Sequence, residues 1–179
     1  MTNSKRHYEL HDRRSASKEK RVMSLKILVV VPCGSSKIWS KFPESKATRA
    51  DEVYIGPSFK VNRGFAQKFA DKWVILSAKY GFIEPSFVIP ENYDVSFNDP
   101  ATNPISLNEL KAQAKEKGLE NYDVVIALGG KNYTEIVKEV LMRNAKVIAP
   151  TEGLPIGKAM GLIKFLTKLD KTQMLKKII

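Results

Sequence analysis

The sequence predicts an α/β fold: a three-layer sandwich in which a mostly parallel, four-stranded sheet carries helices on both faces. Three observations lead there. Four short segments, Lys26–Val31, Trp73–Leu76, Asp123–Leu128 and Lys146–Ala149, are built on continuous apolar runs rather than alternation, the pattern of strands covered on both sides. Segments with helical apolar spacing lie between them, as expected of strand–helix–strand units. Each run also stops at a short loop of small, polar and charged residues: Cys33-Gly34-Ser35-Ser36-Lys37, Ser77-Ala78-Lys79-Tyr80-Gly81, Gly129-Gly130-Lys131-Asn132 and Pro150-Thr151-Glu152-Gly153. In a parallel sheet these loops leave along one edge, where open α/β sheets bind their ligands.

Taken in order, the first strand is β-branched and ends at Pro32. Pro43–Glu52 is polar and predicts an irregular segment. Pro57 and Ser58 open a helix that places Val61, Phe65 and Phe69 four residues apart and ends near Asp71. After the second strand, Gly81–Asn103 holds Pro85, Pro90 and Pro100 and reads as one long irregular loop, a length usually tied to function or mobility. Ser106 and Glu109 form a capping-box pair ahead of Leu107, Leu110 and Ala114, and Gly118 stops that helix. Tyr133, Ile136, Val137, Val140 and Leu141 give the following helix a single apolar face. The last helix starts near Pro155. It is expected to bury Ile156, Met160 and Ile163 in one row, with Leu162, Phe165, Leu166 and Leu169 beside it.

Composition bounds the function. Residues 23–179 suffice for one domain with one large core, and residues 1–22 form a basic arm with few apolar residues, read as disordered in isolation. No apolar stretch approaches the roughly 20 residues that cross a bilayer, and the N-terminus lacks the apolar core of a secretory signal. Membrane attachment is therefore not expected. Cys33 is the only cysteine, so no internal disulfide forms, and a reducing cytoplasm is the expected setting. Both histidines, His7 and His11, fall in the arm. A Cys–His pair, a Ser–His–Asp triad and a cysteine- or histidine-ligated zinc are thus absent from the predicted domain. No metal and no cofactor are called for.

The net charge of +11 is uneven: residues 1–26 carry +5, residues 164–179 carry +4, and the long middle only +2. Basic ends on a nearly neutral body suit a polyanionic partner, DNA first and RNA as the alternative, although a solubilising surface explains them equally well.

Chemistry concentrates in the loops. In Cys33–Lys37, Gly34 permits a sharp turn, Ser35 and Ser36 offer hydroxyls and amides, and Lys37 adds a cation, a set suited to a phosphate, a sugar or a base edge. The glycine spacing is not that of a Walker loop. Ser77, Lys79 and Tyr80 place a hydroxyl, a cation and a stacking ring at the second strand's end, while Gly129, Gly130 and Lys131 open a helix N-terminus. Each set has a plain structural alternative: a solvent-facing lysine, a ring plugging the sheet end, or glycines needed only for packing. Carboxylates are scarce at this edge. Asp94 and Glu152 are the candidates for activating water or supporting a cationic sugar, with helix capping as the competing role for Glu152.

The motifs Cys33–Lys37, Tyr54–Phe59, Leu76–Gly81 and Glu152–Gly157 resemble those of an uncharacterised bacterial, archaeal and phage family, in order and over Ile27 to Leu166. More distantly, the chain is similar to the uracil-DNA-glycosylase-like superfamily, whose third-strand Gly-Lys turn is matched by Val124–Lys131. That resemblance implies cleavage or recognition of a nucleobase, often a modified one, flipped into a pocket between sheet and loops. The leading expectation is an N-glycosidase-like enzyme in which Cys33, Gly34, Ser35, Gly129 and Gly130 line the pocket, Tyr80 stacks on the base, and Lys37 and Lys79 hold phosphate or the leaving base. Lys37, Lys79 or Lys131 would balance charge on the departing base, and Asp94 or Glu152 would act at the sugar. The chain departs from the superfamily in holding Thr151-Glu152-Gly153 where a histidine is common, and in having no carboxylate in the first loop. An enzyme on free nucleotides or nucleosides, or a non-enzymatic nucleic-acid-binding protein, are the alternatives.

Overall fold

The computed structural model describes residues 24–179; the expected arm at 1–22 lies outside them. Strand β1 (Ile27–Pro32) is the centre of a five-stranded sheet. The chain runs through β2 (Thr48–Arg49), α1 (Ala50–Val53) and α2 (Pro57–Phe69) to β3 (Lys72–Ser77), β4 (Gly81–Ile83) and β5 (Val88–Ile89). It continues through α3 (Leu107–Glu116), β6 (Val124–Ala127), α4 (Lys131–Leu141), β7 (Lys146–Ile148), α5 (Ile156–Lys168) and α6 (Lys171–Ile178). The sheet order is β4-β3-β1-β6-β7, parallel except for β4, which pairs antiparallel with β3.

The unbroken apolar run of β1 is explained by its position. Ile27, Val29 and Val31 face one layer, with Phe59, Phe65 and Phe69 of α2 and Ile163 and Leu166 of α5. Leu28 and Val30 face the other, with Leu110 and Ala114 of α3 and Val137, Val140 and Leu141 of α4. Every residue from Ile27 to Val31 is at most 1% exposed. Two carboxylates fix the strand's start: Asp123 accepts the Lys26 amide at 2.8 Å and Asp71 the Ile27 amide at 2.7 Å.

The sandwich is as predicted, and several details are corrected. The sheet has five strands rather than four, because the segment read as irregular from Gly81 turns back at once and adds β4 as an antiparallel edge. Short runs such as Gly81-Phe82-Ile83 carry no periodicity of their own; pairing to β3 decides them. The polar Pro43–Glu52 segment also gains order, since β2 pairs with β5 and α1 follows. The terminal helical pattern is two helices, α5 and α6, separated at Asp170, whose side chain caps α6. In α5 only Ile163 and Leu166 are fully buried; Ile156 is 70% and Phe165 48% exposed, because the helix packs on α2 along one narrow line. On α2 the buried stripe is Phe59, Asn62, Phe65, Ala66 and Phe69, with Val61 at its margin.

The β3–β4 turn depends on Gly81, whose φ of +73° is one that L side chains rarely adopt. The Gln113 side chain of α3 fills the space beside it, accepting from the Phe82 amide at 2.9 Å and donating to the Tyr80 carbonyl at 3.1 Å. A Cβ at Gly81 would lie 2.1 Å from Gln113 Oε1. Gly81→Ala is therefore expected to lower stability by about 2 kcal/mol, through backbone strain and loss of this bridge. Urea unfolding checks it; an unchanged midpoint would contradict this account of the turn.

Candidate functional site

From β1 the chain moves to β3 on one side, then crosses to β6 on the other, so the β1–β6 boundary is the point at which strand order reverses. Such a reversal parts the loops that follow the two strands and leaves a crevice at their carboxyl ends. Here that crevice is a cavity of about 700 Å³, within the range of small-molecule sites. Its walls are the loop Pro32–Lys37, Gly129 and Gly130, the start of α2, the segment Tyr93–Ser96 with Asn98, Tyr133, Thr151 and the start of α5.

Of the residues proposed from sequence, Cys33, Gly34, Ser35, Ser36, Lys37, Asp94, Gly129 and Gly130 line this cavity. Gly34 does not have a positive φ, so its turn does not demand glycine; Gly129 does, at +115°, and a Cβ there would come within 2.8 Å of Pro32 Cγ. Thr151 ties the same loops together: its hydroxyl accepts the Gly129 amide at 3.2 Å and donates to the Gly129 carbonyl at 3.1 Å.

The remaining candidates stand outside the wall. Ser77 is fully buried behind it, where its hydroxyl lies 2.9 Å from that of Tyr93 and accepts the amides of Lys79 and Tyr80. Tyr80 packs edge-on against Tyr93, ring centroids 5.3 Å apart, and against Phe87, so it supports the wall instead of presenting a stacking surface. Lys79 Nζ lies over the rings of Tyr80 and Tyr93. Lys131 is on the exposed side of α4, with its Nζ 3.6 Å from Glu135. Glu152 is bound by Lys138 and by the Thr134 hydroxyl, and these contacts hold its carboxyl below the usual carboxylate range. It caps no helix: the residue before α5 is Pro155.

Two residues define the interior. Lys37 is only 7% exposed, and its Nζ lies 4.3 Å from the centroid of the Tyr93 ring. Burial pushes its pKa down, against the opposing pull of Cys33 and Asp94. Asn62, on the buried stripe of α2, is 5% exposed. Among the described residues, neither the Lys37 ammonium nor the Asn62 amide makes a hydrogen bond or ion pair, and no fully buried side-chain nitrogen or oxygen lacks a partner, so both polar groups reach the open space of the cavity that they line.

Tyr93 carries Lys37, and its own position is fixed by hydrogen bonds. Its hydroxyl lies 2.6 Å from that of Tyr54 as well as beside Ser77. Burial pushes the Tyr93 phenol up to about 12, so it stays neutral at physiological pH. Across the cavity the Cys33 thiol lies 3.3 Å from the Tyr133 hydroxyl. Asn62 had a sequence signal, a polar residue three before Phe65 on an apolar helix face. Tyr93 and Tyr133 had none that separates them from other aromatics.

The Lys37 cation costs stability while the cavity is empty, and Lys37→Met removes that cost. The variant is expected to be more stable than the parent by on the order of 1 kcal/mol in the absence of ligand. A lowered Lys pKa means the unfolded chain binds more protons, so the difference is largest near neutral pH. It closes as pH rises through the lowered value toward the ordinary 10.5. Thermal melts across that range check this; a destabilised variant at neutral pH would show Lys37 to be a structural residue.

The "Family of unknown function (DUF6884)" matches residues 28–165, from β1 to near the end of α5. An uncharacterized protein of Bacillus subtilis (strain 168), YfjM, is 35% identical over 126 residues, which is 70% of this chain and 84% of that protein. No solved structure matches. Among the described residues no helix is long and apolar enough to cross a membrane, and no cluster of His, Cys, Asp and Glu is arranged to hold a metal.

Proposed function

We propose that this chain, which belongs to the DUF6884 family of unknown function, is an N-glycosidase-like enzyme that takes a nucleobase, a modified one in DNA, into the cavity. The observation that carries this reading is that Lys37 and Asn62, side chains largely buried but with polar groups free of hydrogen bonds among the described residues, line the same cavity as Asp94. The Asn62 amide offers a donor and an acceptor side by side, the pattern needed to read the edge of a base. As the bond to the sugar C1′ breaks, the electron pair leaves with the base, and the positive field of Lys37 and the helix N-termini around the cavity opposes the negative charge that builds there. Asp94 is exposed at the mouth and is the one carboxylate among the lining residues. Its role is to support the cationic sugar and accept a proton from the water that bonds to C1′. Glu152, held by Lys138 and Thr134, has no part in this scheme. The resemblance to uracil-DNA-glycosylase-like proteins read from the sequence motifs favours the same chemistry. The basic C-terminal helices, with Lys164, Lys168, Lys171, Lys176 and Lys177, suit a nucleic-acid backbone.

A second reading, hydrolysis of free nucleotides or nucleosides, is favoured by the cavity's size, which accommodates one such unit without a polymer. Steep salt dependence of binding points to a strand, and its absence to the free molecule.

Mass spectrometry of bases released from DNA rich in modified bases tests the proposal. Asp94→Asn is expected to cut release at least about a hundredfold while DNA affinity stays within about twofold. Glu152→Gln is expected to keep the rate and lose about 1 kcal/mol of stability with its ion pair. No release from any such DNA, or the parent rate in Asp94→Asn, would overturn the assignment.

A further inference from the structure

The helices of this protein differ in how their N-termini are finished. Helix α3 begins with a full capping box between Ser106 and Glu109, and α6 with one between Asp170 and Gln173. Helices α2, α4 and α5, of 13, 11 and 13 residues, begin at Gly56, Gly130 and Pro155 with no side-chain cap at all. Ser58 and Phe59 of α2, Gly130 before α4, and Ile156 and Gly157 of α5 all line the one cavity. Residues at the start of all three helices, each end carrying the partial positive charge of a helix N-terminus, therefore lie around the same space.

A second, independent observation points to what fills it. The Lys37 residue is 7% exposed and lines the same cavity, and its ammonium, over the Tyr93 ring, makes no hydrogen bond or ion pair among the described residues. Space is also left for close approach to the backbone: a Cβ built at Gly130 or Gly157 would meet nothing within 4 Å. Neither glycine has a positive φ, so neither is required by its backbone conformation.

We infer that the cavity contains a phosphate subsite, formed by the uncapped N-termini of α2, α4 and α5 with Lys37, so that the ligand is a phosphorylated nucleotide unit rather than a free base or nucleoside. Phosphate suits this surround because its oxygens accept from several amides at once, and its charge is matched by the helix ends and the lysine. The inference rests on the nucleobase reading of the same cavity and narrows it to substrates that carry a phosphate, either free or within a strand.

Titration of the full chain with inorganic phosphate, followed by amide NMR, tests the subsite directly. The amides of Ser58, Asn132 and Gly157 are expected to shift together and saturably, and adenosine monophosphate should bind at least about tenfold more tightly than adenosine. Gly157→Ala is expected to keep or raise the melting temperature, since alanine favours the helix, yet weaken phosphate binding about tenfold or more. Unmoved amides at millimolar phosphate, equal affinity for nucleoside and nucleotide, or a folded Gly157→Ala variant that binds as the parent does would each overturn the inference. A single-stranded oligonucleotide that displaces phosphate with steep salt dependence identifies the strand as the source, and a mononucleotide that displaces it where the oligonucleotide does not identifies the free molecule. Base release without these shifts would leave the glycosidase reading standing and remove the subsite. Shifts without base release would do the reverse.

Discussion

The central strand constrains everything else. Because β1 is buried on both faces, it must be apolar throughout, and helices must cover it from both sides. The chain has to visit one flank and then the other to supply them, and the reversal opens a crevice between the ends of β1 and β6. The site is thus a by-product of the topology before any particular side chain is considered. Its position follows from the same hydrophobic burial that holds the domain together.

What occupies that crevice runs against local stability. A lysine and an asparagine that are largely buried yet make no side-chain hydrogen bond, and three helices without caps, are features that a sequence selected for stability alone would remove. The same chain uses complete capping boxes at α3 and α6, away from the cavity. The contrast is local. It is confined to the cavity that Lys37, Asn62 and these helix ends line.

Behind these groups lies a supporting shell. Ser77, Tyr54 and Tyr80 hold Tyr93, and Tyr93 holds Lys37. Thr151 and Gly129 bring the loop after β7 and the loop after β6 together. Ser77 and Tyr80, proposed for direct contact, instead pack behind the cavity wall against Tyr93. A loop at the correct sheet edge delivers some side chains to the cavity and others to its back, according to the direction each one leaves the strand.

The sequence by itself determined the layers. Runs such as Ile27–Val31 and Val124–Leu128 require cover on both faces, and the capping box at Ser106 and the apolar stripe of α4 locate helices through interactions within a few residues. It also brought the first loop and the Gly129-Gly130 turn to one edge, since parallel strands share a direction. Only the tertiary structure decided what depends on contacts distant in the chain. Strand β4 exists through pairing with β3, Asn62 comes to line the cavity, and Glu152 is taken by Lys138 from the next helix over. Tyr93 becomes the platform for Lys37 across 56 residues of chain. Local patterns fix what a segment must bury; which groups are left facing a cavity is settled when all the segments are in place.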